Sequence, residues 1–141
     1  MAGVSVRERR DLDADPAAVW ALVADPERIA EWAPVVFVGW MGTNLPAVGQ
    51  AFFISWLTDG ARRFEIDEWE AGRRFRCVVD RPAGHFEVLV DTTVVSGGPR
   101  SSLELRFAGE YGLVSSWLRA SVIRMLFKRA LRGAARELDE S

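Results

Sequence analysis

The sequence predicts an α+β domain in which a curved antiparallel sheet of about seven strands wraps around one long C-terminal helix. Three features support this class. Residues 114–138 contain no proline and a single glycine, which is typical of one long helix. Residues 35–96 contain only extended runs broken by glycine and proline. Two Asp-Pro pairs near the N-terminus indicate two short helices after the first strand.

In the N-terminal part, apolar and polar residues first alternate weakly, as in a strand, and then follow a helical spacing. Residues 4–13 predict an edge strand, because the second half of this segment is highly charged. An aspartate followed by proline caps a helix start and presets its backbone angle, so Asp15-Pro16 predicts a helix over residues 16–23. Asp25-Pro26 repeats this signal and predicts the second short helix.

The middle of the chain predicts six further strands. Apolar residues alternate with charged ones in residues 62–69 and 74–80, which gives each of these strands one dry and one wet face. The turns between most of the runs are short, so neighbouring strands are predicted to pair antiparallel as a meander. The predicted strands cover residues 35–41, 51–57, 62–69, 74–80, 85–96 and 101–111.

The C-terminal helix has two different halves. From Ala120 onward, apolar residues three and four positions apart form one face, and Arg129, Arg132 and Arg136 lie opposite. Nearer the start, a second apolar stripe is rotated from the first. This half is apolar on more sides than one core requires, so an apolar partner is expected to face it. The second stripe contains Val114, Trp117, Leu118, Val122 and Met125.

Composition limits the class of protein. A chain of 141 residues predicts a single domain over residues 1–141. The one cysteine excludes an internal disulfide, and with only one histidine no metal site is expected. A net charge of −2 argues against a nucleic-acid partner. Neither a signal peptide nor an apolar run of roughly 18 residues occurs, so we expect a cytoplasmic protein without stable membrane insertion.

Residues 13–32, DADPAAVWALVADPERIAEW, resemble the opening signature of the START/Bet v 1-like (SRPBCC) superfamily, in its polyketide cyclase/dehydrase and lipid transport branch. Val19, Trp20, Leu22 and Trp32 carry the match, and we interpret them as core residues. The order of elements extends the resemblance over the whole chain. The resemblance implies a helix-grip fold with an apolar cavity between sheet and helix, which holds lipids, polyketides or other hydrophobic ligands.

Aromatic side chains are abundant, with six tryptophans and eight phenylalanines. Only one parity of each strand faces inward, and the pattern of residues 51–57 does not determine which parity that is. A solid core and a ligand-lined pocket are equally compatible with this composition. The predicted cavity residues are Trp40, Phe53, Trp56, Phe64, Phe75, Phe86, Val88, Val90, Phe107, Leu118, Val122 and Met125.

Few residues suit catalysis. Asp91 is a candidate acid or base if it is buried, and His85 is one because imidazole titrates near neutrality. We expect both at the surface, because His85 follows a turn and neither has a partner in sequence that would orient it. Cys77 lies between apolar residues and is interpreted as a buried hydrophobe. The common nucleophile, phosphate-loop, dinucleotide and zinc-protease motifs do not occur.

The sequence therefore predicts a binder of a hydrophobic small molecule, without cofactor or metal, as a monomer or homodimer. A cofactor-independent polyketide aromatase/cyclase or dehydratase is the alternative from another class. A protein-interaction or regulatory subunit is the third possibility. The sequence separates the first two poorly, since cavity shape and a single acid or base suffice for catalysis in such a fold.

Overall fold

The computed structural model describes residues 2–42, 46–55, 61–80, 83–92, 101–111 and 116–139. The elements are β1 (Ala2–Leu12), α1 (Pro16–Val23), a 3-10 helix (Pro26–Glu31), β2 (Val36–Met41), β3 (Ala51–Ser55), β4 (Ala61–Glu70), β5 (Arg74–Asp80), β6 (Ala83–Thr92), β7 (Ser101–Tyr111) and α2 (Ser116–Asp139). This α+β architecture of one sheet and a long C-terminal helix confirms the predicted fold class.

The seven strands form one antiparallel sheet in the order β1-β7-β6-β5-β4-β3-β2. Strands β2 to β7 follow one another as the predicted meander. Strand β1 pairs with β7 along its whole length, from Ala2 opposite Tyr111 to Leu12 opposite Ser101. This first-to-last pairing joins the N-terminal strand to the far side of the meander, which leaves β1 and β2 as the two sheet edges.

The predicted element bounds agree with the structure to within a few residues. The predicted strands over 51–57 and 85–96 are observed as Ala51–Ser55 and Ala83–Thr92, and the remaining predicted positions lie outside the described residues. The second short helix is a 3-10 helix rather than an α-helix. The long helix begins at Ser116, and the predicted positions 114 and 115 are not among the described residues.

Both short helices begin at the predicted aspartates, but the two caps differ. The Asp15 main-chain carbonyl accepts hydrogen bonds from the amides of Ala18 and Val19 at 3.0 and 3.1 Å, and its carboxylate does not cap α1. The Asp25 carboxylate accepts a hydrogen bond from the Glu27 amide at 3.0 Å. Proline at the first helical position is common to both starts, because its missing amide needs no partner there.

The inner face of the sheet, α1 and the second half of α2 enclose the core. Val19 and Leu22 of α1 are completely buried, as expected from their helical spacing. Trp20 is half-buried and packs edge-on against Trp69 and Phe75, with ring centroids 5.2 and 6.0 Å apart. Alternate residues of the central strands supply the rest of the core, because side chains in a strand point to opposite faces.

The outer face of the sheet carries a network of ion pairs. Arg76 lies 2.8 Å from Asp67, and its hydrogen bond to that carboxylate lowers the pKa of Asp67. Glu87 binds two arginines from neighbouring strands, Arg74 at 2.6 Å and Arg106 at 3.4 Å. This is the wet face that the charge alternation of β4 and β5 predicted. Exposed pairs of this kind stabilise a fold by only about 0–1 kcal/mol each.

Helix α2 is anchored by its second half. Phe127, Ala130, Leu131 and Ala134 are buried. Gly133 allows α2 to pack directly against the main chain of Trp32. A Cβ at position 133 would overlap the Trp32 carbonyl oxygen and lie 2.9 Å from the carbonyl carbon. A side chain at position 133 would therefore force the helix away from the chain that follows the 3-10 helix.

The preceding turns of α2 are apolar but less buried. Val122, Ile123 and Leu126 are half-buried, and Met125 is 44% exposed. A fully buried apolar side chain contributes about 1.5–3 kcal/mol to the stability of the fold. These partly exposed residues contribute less than that. This part of α2 therefore leaves apolar surface available for a further partner.

Candidate functional site: an apolar cavity between the sheet and helix α2

A cavity of about 90 Å³ lies between the sheet, the chain segment before β2, and α2. All of its lining side chains are apolar. They are Ile29, Trp32, Ala33, Pro34, Val35, Ile54, Phe64, Val79, Phe86, Leu105, Phe107, Ile123, Leu126, Phe127 and Ala130.

Three parts of the chain supply this wall. Inward residues of five strands form the floor, because alternation places them on the same side of the sheet. Ile29 of the 3-10 helix and residues 32–35, which connect that helix to β2, form one side. Residues 123–130 of α2 form the other side, where Ile123, Phe127 and Ala130 recur at helical spacing on one face.

A row of aromatic rings crosses the sheet beneath the cavity and ends on the helix. Successive rings belong to Trp40, Phe52, Phe64, Phe86 and Phe127. Their centroids are separated by 5.5, 5.7, 5.9 and 5.8 Å in that order. The four contacts range from stacked to edge-on, which are favourable geometries for aromatic pairs. This row holds Phe86 and Phe127 in place on the cavity wall.

Trp32 lines the cavity and carries a buried polar atom. The side chain is 5% exposed, and its indole nitrogen makes no hydrogen bond within the described part of the chain. A buried N–H without a partner costs about 1–3 kcal/mol relative to a satisfied one. The nitrogen is itself inaccessible, so the Trp32 side chain presents its apolar ring rather than this donor to the cavity.

The structure places the predicted cavity residues in several different surroundings. Phe64, Phe86 and Phe107 line the cavity. Phe53 is half-buried and alternates with the buried Phe52 and Ile54, so it lies on the outer face of β3. The sequence pattern did not determine which residues of β3 face inward, since this strand is apolar on both faces.

The other predicted cavity residues whose side chains the structure describes lie outside the cavity lining. Phe75, Val88 and Val90 are buried elsewhere in the core, and Trp40 is half-buried beside Phe52. Val122 and Met125 lie on the less buried turns of α2. The Leu118 side chain and the whole of Trp56 lie outside the part of the chain that the structure describes, so these two predictions stay predictions.

Sequence reasoning did not assign several wall residues to the cavity. Ile123, Phe127 and Ala130 had been recognised as one face of α2, and this spacing was the available signal. Ile29 belongs to the second predicted helix and Val35 to the predicted strand 35–41, and only their position between α2 and the sheet identifies them as wall residues.

Neither proposed acid or base lines the cavity. The His85 side chain is 49% exposed on the outer face, with its Nε2 atom 4.0 Å from an Asp67 carboxylate oxygen. Asp91 is exposed on β6, opposite Ser102 of β7. Cys77 is completely buried, and this burial, together with the Asp67 charge, raises the pKa of its thiol. Among the described residues, no group of three or more acidic, histidine or cysteine side chains is placed to hold a metal.

An open antiparallel sheet folded around a C-terminal helix, with an apolar cavity between them, defines a helix-grip protein of the START/Bet v 1-like class. The family model described as polyketide cyclase/dehydrase and lipid transport matches residues 3–141, so the chain belongs to that family. Among curated proteins, none matches this sequence significantly. Within the described residues, α-helices long and apolar enough to cross a bilayer are absent.

Solved structures share the fold at low sequence identity. Protein MLL2253 from Mesorhizobium loti is 17% identical with a TM-score of 0.78, over 97% of this chain and 98% of that one. A Thermobifida fusca protein solved by NMR is 16% identical with a TM-score of 0.81, over 96% and 93% of the two chains. The Aha1 dimer from Colwellia psychrerythraea is 10% identical with a TM-score of 0.65, over 94% and 96%. These similarities establish a common fold.

Proposed function

We propose that this protein binds a hydrophobic small molecule, lipid-like or polyketide-like, in the cavity between the sheet and α2. The observation that carries the proposal is the wholly apolar wall around this space of about 90 Å³. An apolar ligand that covers this wall gains about 25 cal/mol for each Å² of apolar surface that it removes from water.

The size of the cavity limits what can enter without rearrangement. Drug-sized ligands occupy pockets of roughly 300–1,000 Å³, whereas an apolar cavity of about 150 Å³ accommodates a single aromatic ring. A larger ligand therefore requires the walls to separate. The 3-10 helix is the wall element best suited to move, because Pro26 is its one buried residue.

Binding is favoured over catalysis by the character of the wall. The described wall contains no acid or base, and a general acid or base must lie within hydrogen-bond reach of the reacting atom. The buried thiol of Cys77 fits a reducing compartment, and we place the protein in the cytoplasm.

Titration with a neutral apolar fluorophore tests the proposal. N-phenyl-1-naphthylamine is larger than the cavity, so the walls must separate to admit it. It should bind the wild type saturably, with the far-UV circular dichroism unchanged. The Ala130→Leu variant should weaken this binding by about tenfold or more, because its three added carbon atoms project from a residue that lines the cavity.

Ala135→Leu is the matched control, since Ala135 lies on the same helix, is half-buried, and does not line the cavity. This variant should bind the probe as the wild type does. The proposal fails if the natively folded wild type gives no saturable signal, or if Ala130→Leu and Ala135→Leu bind equally well.

A further inference from the structure

A second, polar groove of about 360 Å³ lies on the other side of the chain segment that bounds the apolar cavity. Trp32, Ala33 and Pro34 belong to the walls of both. The groove is completed by residues 30–31 and by the arginine-bearing face of α2. The two spaces therefore adjoin through a wall only a few residues long.

Three arginines give this groove its charge. Arg129, Arg132 and Arg136 are exposed, line the groove, and recur at i, i+3 and i+7 on α2. Their Cα atoms span about 10 Å along the helix axis, at 1.5 Å per residue. None of the three forms an ion pair with any residue in the described parts of the chain.

The acidic residue in the groove wall does not neutralise these arginines, because its charge is already engaged. Glu31 accepts two hydrogen bonds from Arg28, both at 3.0 Å, from Nε and Nη2. This bidentate geometry is the strong form of a guanidinium–carboxylate pair. Glu137, the other carboxylate near this wall, interacts with Glu31 and Arg28. The groove thus presents three arginines that form no ion pair among the described residues, and like charges one helical turn apart repel each other.

We propose that the ligand is an amphipathic anion, with an apolar body in the cavity and a carboxylate or phosphate group bound by Arg129, Arg132 and Arg136. This inference rests on the proposed function, because the apolar body must occupy the cavity. Guanidinium groups match both oxyanions by paired hydrogen bonds, and an anion relieves the repulsion between the three side chains. Residues 32–34 form the short divide that the ligand must span.

A pair of ligands that share their apolar body, one with an anionic head group and one with a neutral head group, tests the inference. 4-Phenylbutyrate and 4-phenylbutan-1-ol share the phenyl ring and the chain length. Titrations followed by NMR chemical shifts should show the acid binding the wild type about tenfold more tightly than the alcohol, as one charge-assisted contact predicts. This preference should shrink at about 0.5 M NaCl, because salt screens exposed charges.

Variants locate the preference on the groove. The triple variant Arg129→Gln, Arg132→Gln, Arg136→Gln should bind acid and alcohol equally, and Arg132→Gln alone should reduce the preference part of the way. All three positions are exposed, so the native near-UV circular dichroism should be kept. Lys128→Gln is the matched control, since Lys128 is exposed on α2 outside the groove. This variant should prefer the acid over the alcohol by the same factor as the wild type.

The outcomes separate this inference from the proposed function. Alcohol binding without any preference for the acid overturns the inference and leaves the apolar cavity as a binding site. A preference that persists in the triple variant, or that Lys128→Gln abolishes equally, also overturns it. Failure of both compounds to bind the folded wild type removes the inference together with the function on which it rests. Separate binding of inorganic phosphate, without competition by 4-phenylbutyrate, would show a free-anion site and contradict the shared ligand.

Discussion

Replacing Gly133 by alanine sets two physical effects against each other. Glycine in a helix interior is about 1 kcal/mol less favourable than alanine, so helix propensity alone predicts that Gly133→Ala stabilises the protein. The tertiary structure predicts the opposite. A Cβ at this position would overlap the main-chain carbonyl of Trp32, which side-chain rotation cannot relieve.

The magnitude follows from what must move. To admit the methyl group, α2 has to shift away from the chain that follows the 3-10 helix, and this shift loosens the contacts of Ala130, Leu131 and Ala134, all of them buried. Overpacking of this kind typically costs about 1–3 kcal/mol. Because the clash involves backbone, the upper part of this range applies, and subtracting the propensity gain leaves a net loss of about 1–2 kcal/mol.

Urea unfolding followed by circular dichroism measures this difference, provided that the m-value stays unchanged. Ala135→Gly, two positions along the helix, should lose about 1 kcal/mol and calibrates the propensity effect in the same region. Trp32→Phe should not rescue Gly133→Ala, because the overlapping atoms belong to the main chain. A Gly133→Ala protein more stable than the wild type would refute the argued helix contact.

Three further outcomes are expected. Phe127→Ala should cost about 3 kcal/mol of unfolding free energy in denaturant melts. This value is at the lower end for a core aromatic, because one side of the ring already borders the cavity. A loss below about 1 kcal/mol would show that this face of α2 is not buried. The hydrogen bond from Arg76 lowers the pKa of Asp67, so the stability it contributes is complete at neutral pH and is lost as the pH falls through that lowered pKa. Asp67→Asn should therefore show a shallower decline in acid melts, and an unchanged profile would contradict this. His85→Ala and Asp91→Asn should each change stability by less than about 1 kcal/mol and leave binding of the neutral probe unaltered, whereas a large loss of affinity would place either side chain in the cavity.

The sequence by itself determined the elements, their order and the faces of the regular ones. The spacing of apolar residues and the signals that start or end an element are local properties. Phe64 and Ile66 alternate with charged neighbours, and Asp15-Pro16 marks a helix start. Each depends on only a few adjacent residues, so each can be identified before the chain folds. The long C-terminal helix and its buried face at Phe127 were predicted for the same reason. These local signals, together with the resemblance of residues 13–32, were sufficient for the fold class.

Only the tertiary structure decided which surfaces meet. Strand β3 is apolar on both faces, and its position in the folded sheet placed Phe52 inward and Phe53 outward. The pairing of β1 with β7 joins the first strand to the last, and no turn connects these two strands directly. Trp32 became a cavity wall because the chain after the 3-10 helix closes against Gly133 of α2. A residue pattern specifies how a side chain points relative to its own backbone, whereas a cavity depends on the distance between elements far apart in sequence, and that distance is set by packing of the whole domain.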